Sequence, residues 1–131
     1  MNAAIRFIFN LKRSDHISIT HYMKICHFLP VKLRIDFKIA LLVFKCLNNQ
    51  APNYLKELIQ PKYSLQSLRV SNDKLLLHTP KIEKQNYKNR KFSTVAPQIW
   101  NNLPQYIRES KSVTIFKTKL KTFLFELHFN E

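Results

Sequence analysis

Along LPVKLRIDFKIALLVFKCLNN (29–49) apolar side chains return at helical spacing. Ile35, Ile39, Leu42, Val43 and Cys46 stand at i, i+4, i+7, i+8 and i+11, which puts them on one face. Leu41 and Phe44 widen that face, so the pattern predicts burial on more than one side. Pro30 suits a first turn, where no N–H donor is needed, and Asn48 and Asn49 end the run. Three shorter stretches read the same way. AAIRFIFNLKR (3–13) brings Ile5, Phe9 and Leu11 near one stripe. SITHYMKICHF (18–28) is capped by Ser18 or Thr20 and turns Met23, Cys26 and Phe28 inward. PNYLKELI (52–59) turns Leu55, Leu58 and Ile59 inward.

Nearer the C-terminus, FSTVAPQIWNNLP (92–104) carries Phe92, Val95, Ile99 and Leu103 at i, i+3, i+7 and i+11. That predicts a short helix despite Pro97, with Trp100 beside the stripe. SVTIFKTKLKTFLFELHF (112–129) offers Ser112 as an N-cap and a stripe of Phe116, Leu120, Phe123, Leu124 and Leu127. Its Lys117, Lys119 and Lys121 fall largely outside that stripe. From Pro61 to Lys91 periodicity fails, and LLLH (75–78) is the place for a short strand. The pattern predicts a mostly α fold of about five helices, an irregular basic middle and at most one short β-hairpin. Helical segments 1–60 and 92–131 are expected to pack as one domain across the connector 61–91. No internal repeat is visible.

Charge changes this picture more than size does. Lys and Arg total 22 against 8 Asp and Glu, a net +14 on 131 residues. Residues 61–95 carry as much net charge (+6) as residues 1–60, so the middle is the densest. Its KIEKQNYKNRK run (81–91) interleaves cations with Tyr87 and amides. An excess of this size repels itself on compaction and suits a polyanionic partner, although a solvated loop needs no partner at all. The hydrophobic fraction of 45% still supports a core.

Absences narrow the function classes. With no glycine, phosphate-cradling loops of the P-loop or dinucleotide type are excluded, because the backbone must approach the ligand closely there. Helices must then end on Asn, Lys or Pro in place of a Gly C-cap. No apolar run approaches the roughly 18 residues of a membrane span, and MNAAIRFIFNLKR is a poor signal peptide because its cations follow the apolar core. Cys26 and Cys46 suit a reducing compartment, cytoplasmic or nuclear.

No cofactor, metal or catalytic residue is expected. His16, His21, His27, His78 and His128 show no short face-sharing spacing with one another or with the cysteines. Asp15, Asp36 and Asp73 each stand alone, which lacks the paired carboxylates of two-metal or acid–base work.

Three stretches, in this order, resemble one known family: NAAIRFIFNLKRSDHI (2–17), HFLPVKLRIDFKIALLVFKCLNNQAPNYLKELI (27–59) and NRKFSTVAPQIWNNLPQYIRESKSVTIFKTKLKTFLFEL (89–127). Together they look like the region after the reverse-transcriptase palm in non-LTR (LINE-type) retrotransposons of the jockey, CR1 and L2 kind. The resemblance implies a thumb-like segment over 1–60 and a C-terminal extension over 92–131. It also implies that polymerase chemistry belongs to an upstream palm with an F/Y-A-D-D-type turn, and no such turn occurs here. The protein is therefore expected not to be an enzyme. Two positions depart from the family pattern. His27-Phe28-Leu29-Pro30 stands where HWLP is usual, and Asn49 where Gly commonly takes αL. In the family a longer helix would run down from the palm into Met1.

The function expected is non-specific binding of RNA or DNA backbones by Lys12, Arg13, Lys32, Arg34, Lys38, Lys84, Lys88, Arg90 and Lys91. The alternatives are a small helical interaction module, which pairs with the missing palm or with itself, and a decayed reading frame without a selected role. Trp100 has two readings, a base-stacking platform or a structural anchor with Pro97, Pro104, Phe116, Leu120 and Phe123. Its apolar neighbours at helical spacing favour the anchor.

Overall fold

The structure is a computed structural model, and it describes residues 2–12, 14, 18–62, 75–80 and 91–129. Among these lie seven helices. They are α1 (Asn2–Ile8), α2 (Ile19–Ile25), α3 (Val31–Leu47), α4 (Asn53–Lys56), α5 (Phe92–Asn101), α6 (Gln105–Arg108) and α7 (Val113–Phe129). The fold is mostly α. Two of the helices are single turns: α4 is shorter than the expected 52–59 stretch, and α6 lies between the two expected C-terminal helices.

Local chemistry accounts for the helix ends. Pro30, Pro52 and Pro104 each precede a helix with φ near −55° and ψ near 150°, so proline's fixed φ starts α3, α4 and α6 without a side-chain cap. Ser112 caps α7 properly, its Oγ accepting the Ile115 N–H at 3.2 Å. The C-termini must manage without glycine. Asn10, His27 and Asn49 take φ of 51°, 50° and 58°. After each, the next N–H reaches back five residues, from Leu11 to Arg6, Phe28 to Met23 and Gln50 to Lys45, at 2.8–2.9 Å. These are Schellman ends with a non-glycine residue in the left-handed position. Asn pays least for that conformation, whereas the His27 ring also packs at a 33° tilt against Phe125 with centroids 5.0 Å apart.

The long helix α3 packs against α5 and α7, and those three make the core. Phe44, Phe116 and Trp100 form a run of three rings, one from each helix. Phe44 and Phe116 lie 4.3 Å apart at 20°, and Phe116 and Trp100 lie 5.9 Å apart at 27°. Leu77 reaches the same core from a single antiparallel bridge to Pro61, which is all that the described residues show of the expected hairpin.

The buried faces are rotated from those read off the sequence. On α3 the core takes Ala40, Leu41, Val43, Phe44 and Cys46, while Ile35 (54% exposed) and Leu42 (38%) face outward. On α5 the face centres on Ala96, Pro97 and Trp100, with Phe92, Val95 and Ile99 at its flanks. Leu58 and Leu127, expected inside, are exposed, and so in part is Phe28. Each of these helices is apolar around most of its circumference, so the spacing leaves the phase open. Pro97 sits inside α5, within the helix that the spacing predicts.

Candidate functional site

Of the cations expected to meet phosphate, Arg34 and Lys38 come together. They are one turn apart on α3, and with Lys121 of α7 they border a groove of about 640 Å³. Its floor is apolar: Phe28 and Leu29 from the segment before α3, Val31 and Phe37 from α3, and Ala4 from α1. Lys121 was outside the expected set. Nothing in its own helix pattern distinguishes it from Lys117, because the groove exists only once α3 and α7 meet.

The other candidates are scattered. Lys32 is exposed on α3, about 160° around the axis from Arg34 at 100° per residue. Lys12 lies after α1, where its carbonyl accepts a bond from the Arg6 guanidinium. Lys91 caps α5, its carbonyl accepting the Thr94 and Val95 N–H groups at 3.0 Å. Arg13, Lys84, Lys88 and Arg90 lie outside the described residues. Of the candidates in the basic middle, Lys91 alone lies among the described residues.

Trp100 is fully buried, so its ring offers no exposed face for a base to stack on. Its Nε1–H donates to the Leu75 carbonyl at 2.6 Å. Next to it, the Asn101 amide grips the backbone of Leu77 at both ends. Oδ1 accepts the Leu77 N–H and Nδ2 donates to the Leu77 carbonyl, each at 2.9 Å. Nδ2 also approaches Thr79 Oγ1 at 3.4 Å. Trp100 and Asn101 thus dock the 75–79 segment onto α5, the indole through one bond and the amide through a two-point clamp. Sequence reasoning missed Asn101, and the signal was there: a paired amide directly after the one buried indole. Phe116 and Leu120 are fully buried, Phe123 packs at the core's edge, and Pro104 starts α6.

A second cavity of about 350 Å³ lies between Leu47, Asn48, Leu75, Trp100, Arg108 and Ser110. Nε and Nη1 of Arg108 are buried there with no hydrogen-bond partner, although Glu109 shares the lining. Burial pushes the Cys46 thiol above its ordinary value, with Lys56 opposing the shift. Among the described residues no group of three or more His, Cys, Asp or Glu is placed to hold a metal ion, and no helix is long and apolar enough to cross a membrane. Cys26 and Cys46 are free thiols.

Compared with family models, curated proteins and solved structures, the chain matches none.

Proposed function

We propose that this chain is a non-catalytic helical module that holds nucleic-acid backbones, and that it corresponds to the post-palm region of a LINE-type reverse transcriptase. One observation carries the binding part. The placed candidates Lys12, Lys32, Arg34, Lys38 and Lys91 all stand exposed around an apolar core, on a chain of net charge +14. Among the described residues the side-chain carboxylates are Asp36, Glu57, Glu109 and Glu126, too few to neutralise that surface. Contacts of this kind go to phosphates, release counterions and carry no base preference. The retrotransposon part rests on the resemblance of residues 2–17, 27–59 and 89–127, and it implies an upstream palm as partner.

Titration of a labelled RNA–DNA hybrid at two salt concentrations tests the reading. Affinity should fall steeply with salt, with a log–log slope of about −0.9 per phosphate neutralised on a duplex. A salt-independent affinity, or none at low salt, defeats it.

A second reading, a protein-interaction module, is favoured by the uncovered apolar side chains Phe7 (89% exposed), Ile8, Val31, Ile35 and Leu42. Sedimentation across a concentration series separates self-association from a bare monomer.

A further inference from the structure

The groove beside Arg34, Lys38 and Lys121 has a chemistry that phosphate binding does not use. Its floor of Phe28, Leu29, Val31 and Phe37 is apolar, whereas a regular nucleic-acid backbone brings no aliphatic groups to cover such a floor. The apolar surface also runs beyond the recess. Phe7 and Ile8 follow Ala4 at i+3 and i+4 on α1, and Ile35 follows Val31 at i+4 on α3, so both stripes leave the groove in continuity with it. Phe7, Ile8, Val31 and Ile35 are all more than half exposed. Connected apolar area of this kind marks a binding face.

The rim says what covers it. Among the described residues its charged side chains are all cationic, two on α3 and one across the groove on α7. None of the carboxylates Asp36, Glu57, Glu109 and Glu126 lines it. From Val31 to Lys38 the α3 wall runs about 10 Å, or two helical turns. That length takes anchors at i, i+3 or i+4, and i+7 of a docked helix. A second copy of this chain is a poor occupant, because it would bring another strongly positive surface against the same cations. A flat bilayer does not fill a recess.

We infer that the groove between α1, α3 and α7 binds an acidic amphipathic helix of another protein, with apolar side chains on the floor and carboxylates on Lys38 and Lys121. This goes beyond the nucleic-acid reading and does not rest on it.

The probe is a labelled peptide of about 18 residues, with Leu at i, i+3, i+4 and i+7 and Glu at the flanking positions. Fluorescence anisotropy with the whole chain follows its binding. The double variant Val31→Gln/Ile35→Gln, which changes no charge, should weaken binding about tenfold, the loss expected of well-packed anchors. Lys38→Glu/Lys121→Glu should weaken it by at least about tenfold, and a peptide with Lys in place of Glu should recover binding to that variant. All four side chains are exposed, and far-UV circular dichroism checks that the variants fold.

Equal binding of a scrambled peptide of the same composition would reduce the effect to general attraction between opposite charges and overturn the proposal. So would undiminished affinity in either variant. Capture of phosphatidylserine vesicles without capture of the peptide would assign the face to a membrane. Hybrid binding that drops in Val31→Gln/Ile35→Gln, with no peptide binding, would assign the groove to nucleic acid. Either result overturns the inference.

Discussion

The core of α3, α5 and α7 and the pair α1–α2 are built from similar apolar residues and come out very differently. In the first, Phe44, Phe116 and Trp100 are stacked from three helices and almost wholly buried. In the second, two helices of seven residues each meet mainly one another. Ile5 and Met23 are buried there, and Phe9 tilts against Tyr22 with centroids 4.7 Å apart. Phe7, Ile8 and Ile25 are left in solvent. Two short helices cover one stripe apiece, and a third layer is needed to bury an aromatic on every side. The pair is therefore the part of the molecule with surface to spare, and the groove opens where it meets α3.

The sharpest way to break this comparison is to truncate one aromatic in each region. Phe116→Ala should cost about 3–5 kcal/mol, because it removes the middle ring of the stack and leaves a cavity, whereas Phe7→Ala should stay within about 0.5 kcal/mol. Thermal or urea melts measure both. Comparable losses would mean that α1–α2 carries a share of the core that its exposure denies.

A smaller effect tests the docking of the 75–79 segment. Asn101→Ala leaves both backbone groups of Leu77 without their partner and should cost about 1–3 kcal/mol. Hydrogen exchange should find the Leu77 amide deprotected ahead of the amides in α3. If that amide stays as slow as before, the clamp contributes nothing.

The helix ends offer a finer test. Asn49→Ala places a Cβ without a compensating amide in the left-handed region and should destabilise by about 1 kcal/mol, while Asn49→Gly should be close to neutral. Equal melting temperatures for the two variants would mean that the turn relaxes to another conformation.

The smallest effect concerns Cys46. Burial raises its folded pKa, so the folded state keeps the thiol proton after the unfolded chain has lost it. Its contribution to stability is then full below the unfolded pKa and is lost as pH rises through the folded one. A melt series above about pH 9 should show a decline that Cys46→Ala removes. Alkylation should also reach half-buried Cys26 before buried Cys46. The reverse order would contradict the packing of α3.

Much of the secondary structure was legible. Pro30 and Ser112 announce the starts of α3 and α7, and the glycine-free composition leaves Asn, Lys or Pro to end helices, as Asn49 does; Asn10 ends α1 inside a stretch whose spacing reads as helical to residue 13. His27 in the same role was not foreseen, since its contact with Phe125 comes from α7. Phase was the main loss. Ile35 and Leu42 fit the apolar spacing of α3 as well as Leu41 and Phe44 do, and only the arrival of α5 and α7 makes one set interior. The candidate site was legible in part: Arg34 and Lys38 are one turn apart in any helix, but Lys121 joins them from a distant stretch of chain.

By itself, then, the amino-acid order determined where the two long helices α3 and α7 start, how much charge they carry and that no glycine loop serves a phosphate. Those properties depend on neighbours within a turn or two along the backbone. Which faces went inside, where Trp100 and Asn101 found their partners and which cations border a groove were decided by packing alone. They depend on contacts between segments far apart in the chain, and an apolar stripe holds no information about which neighbour will cover it.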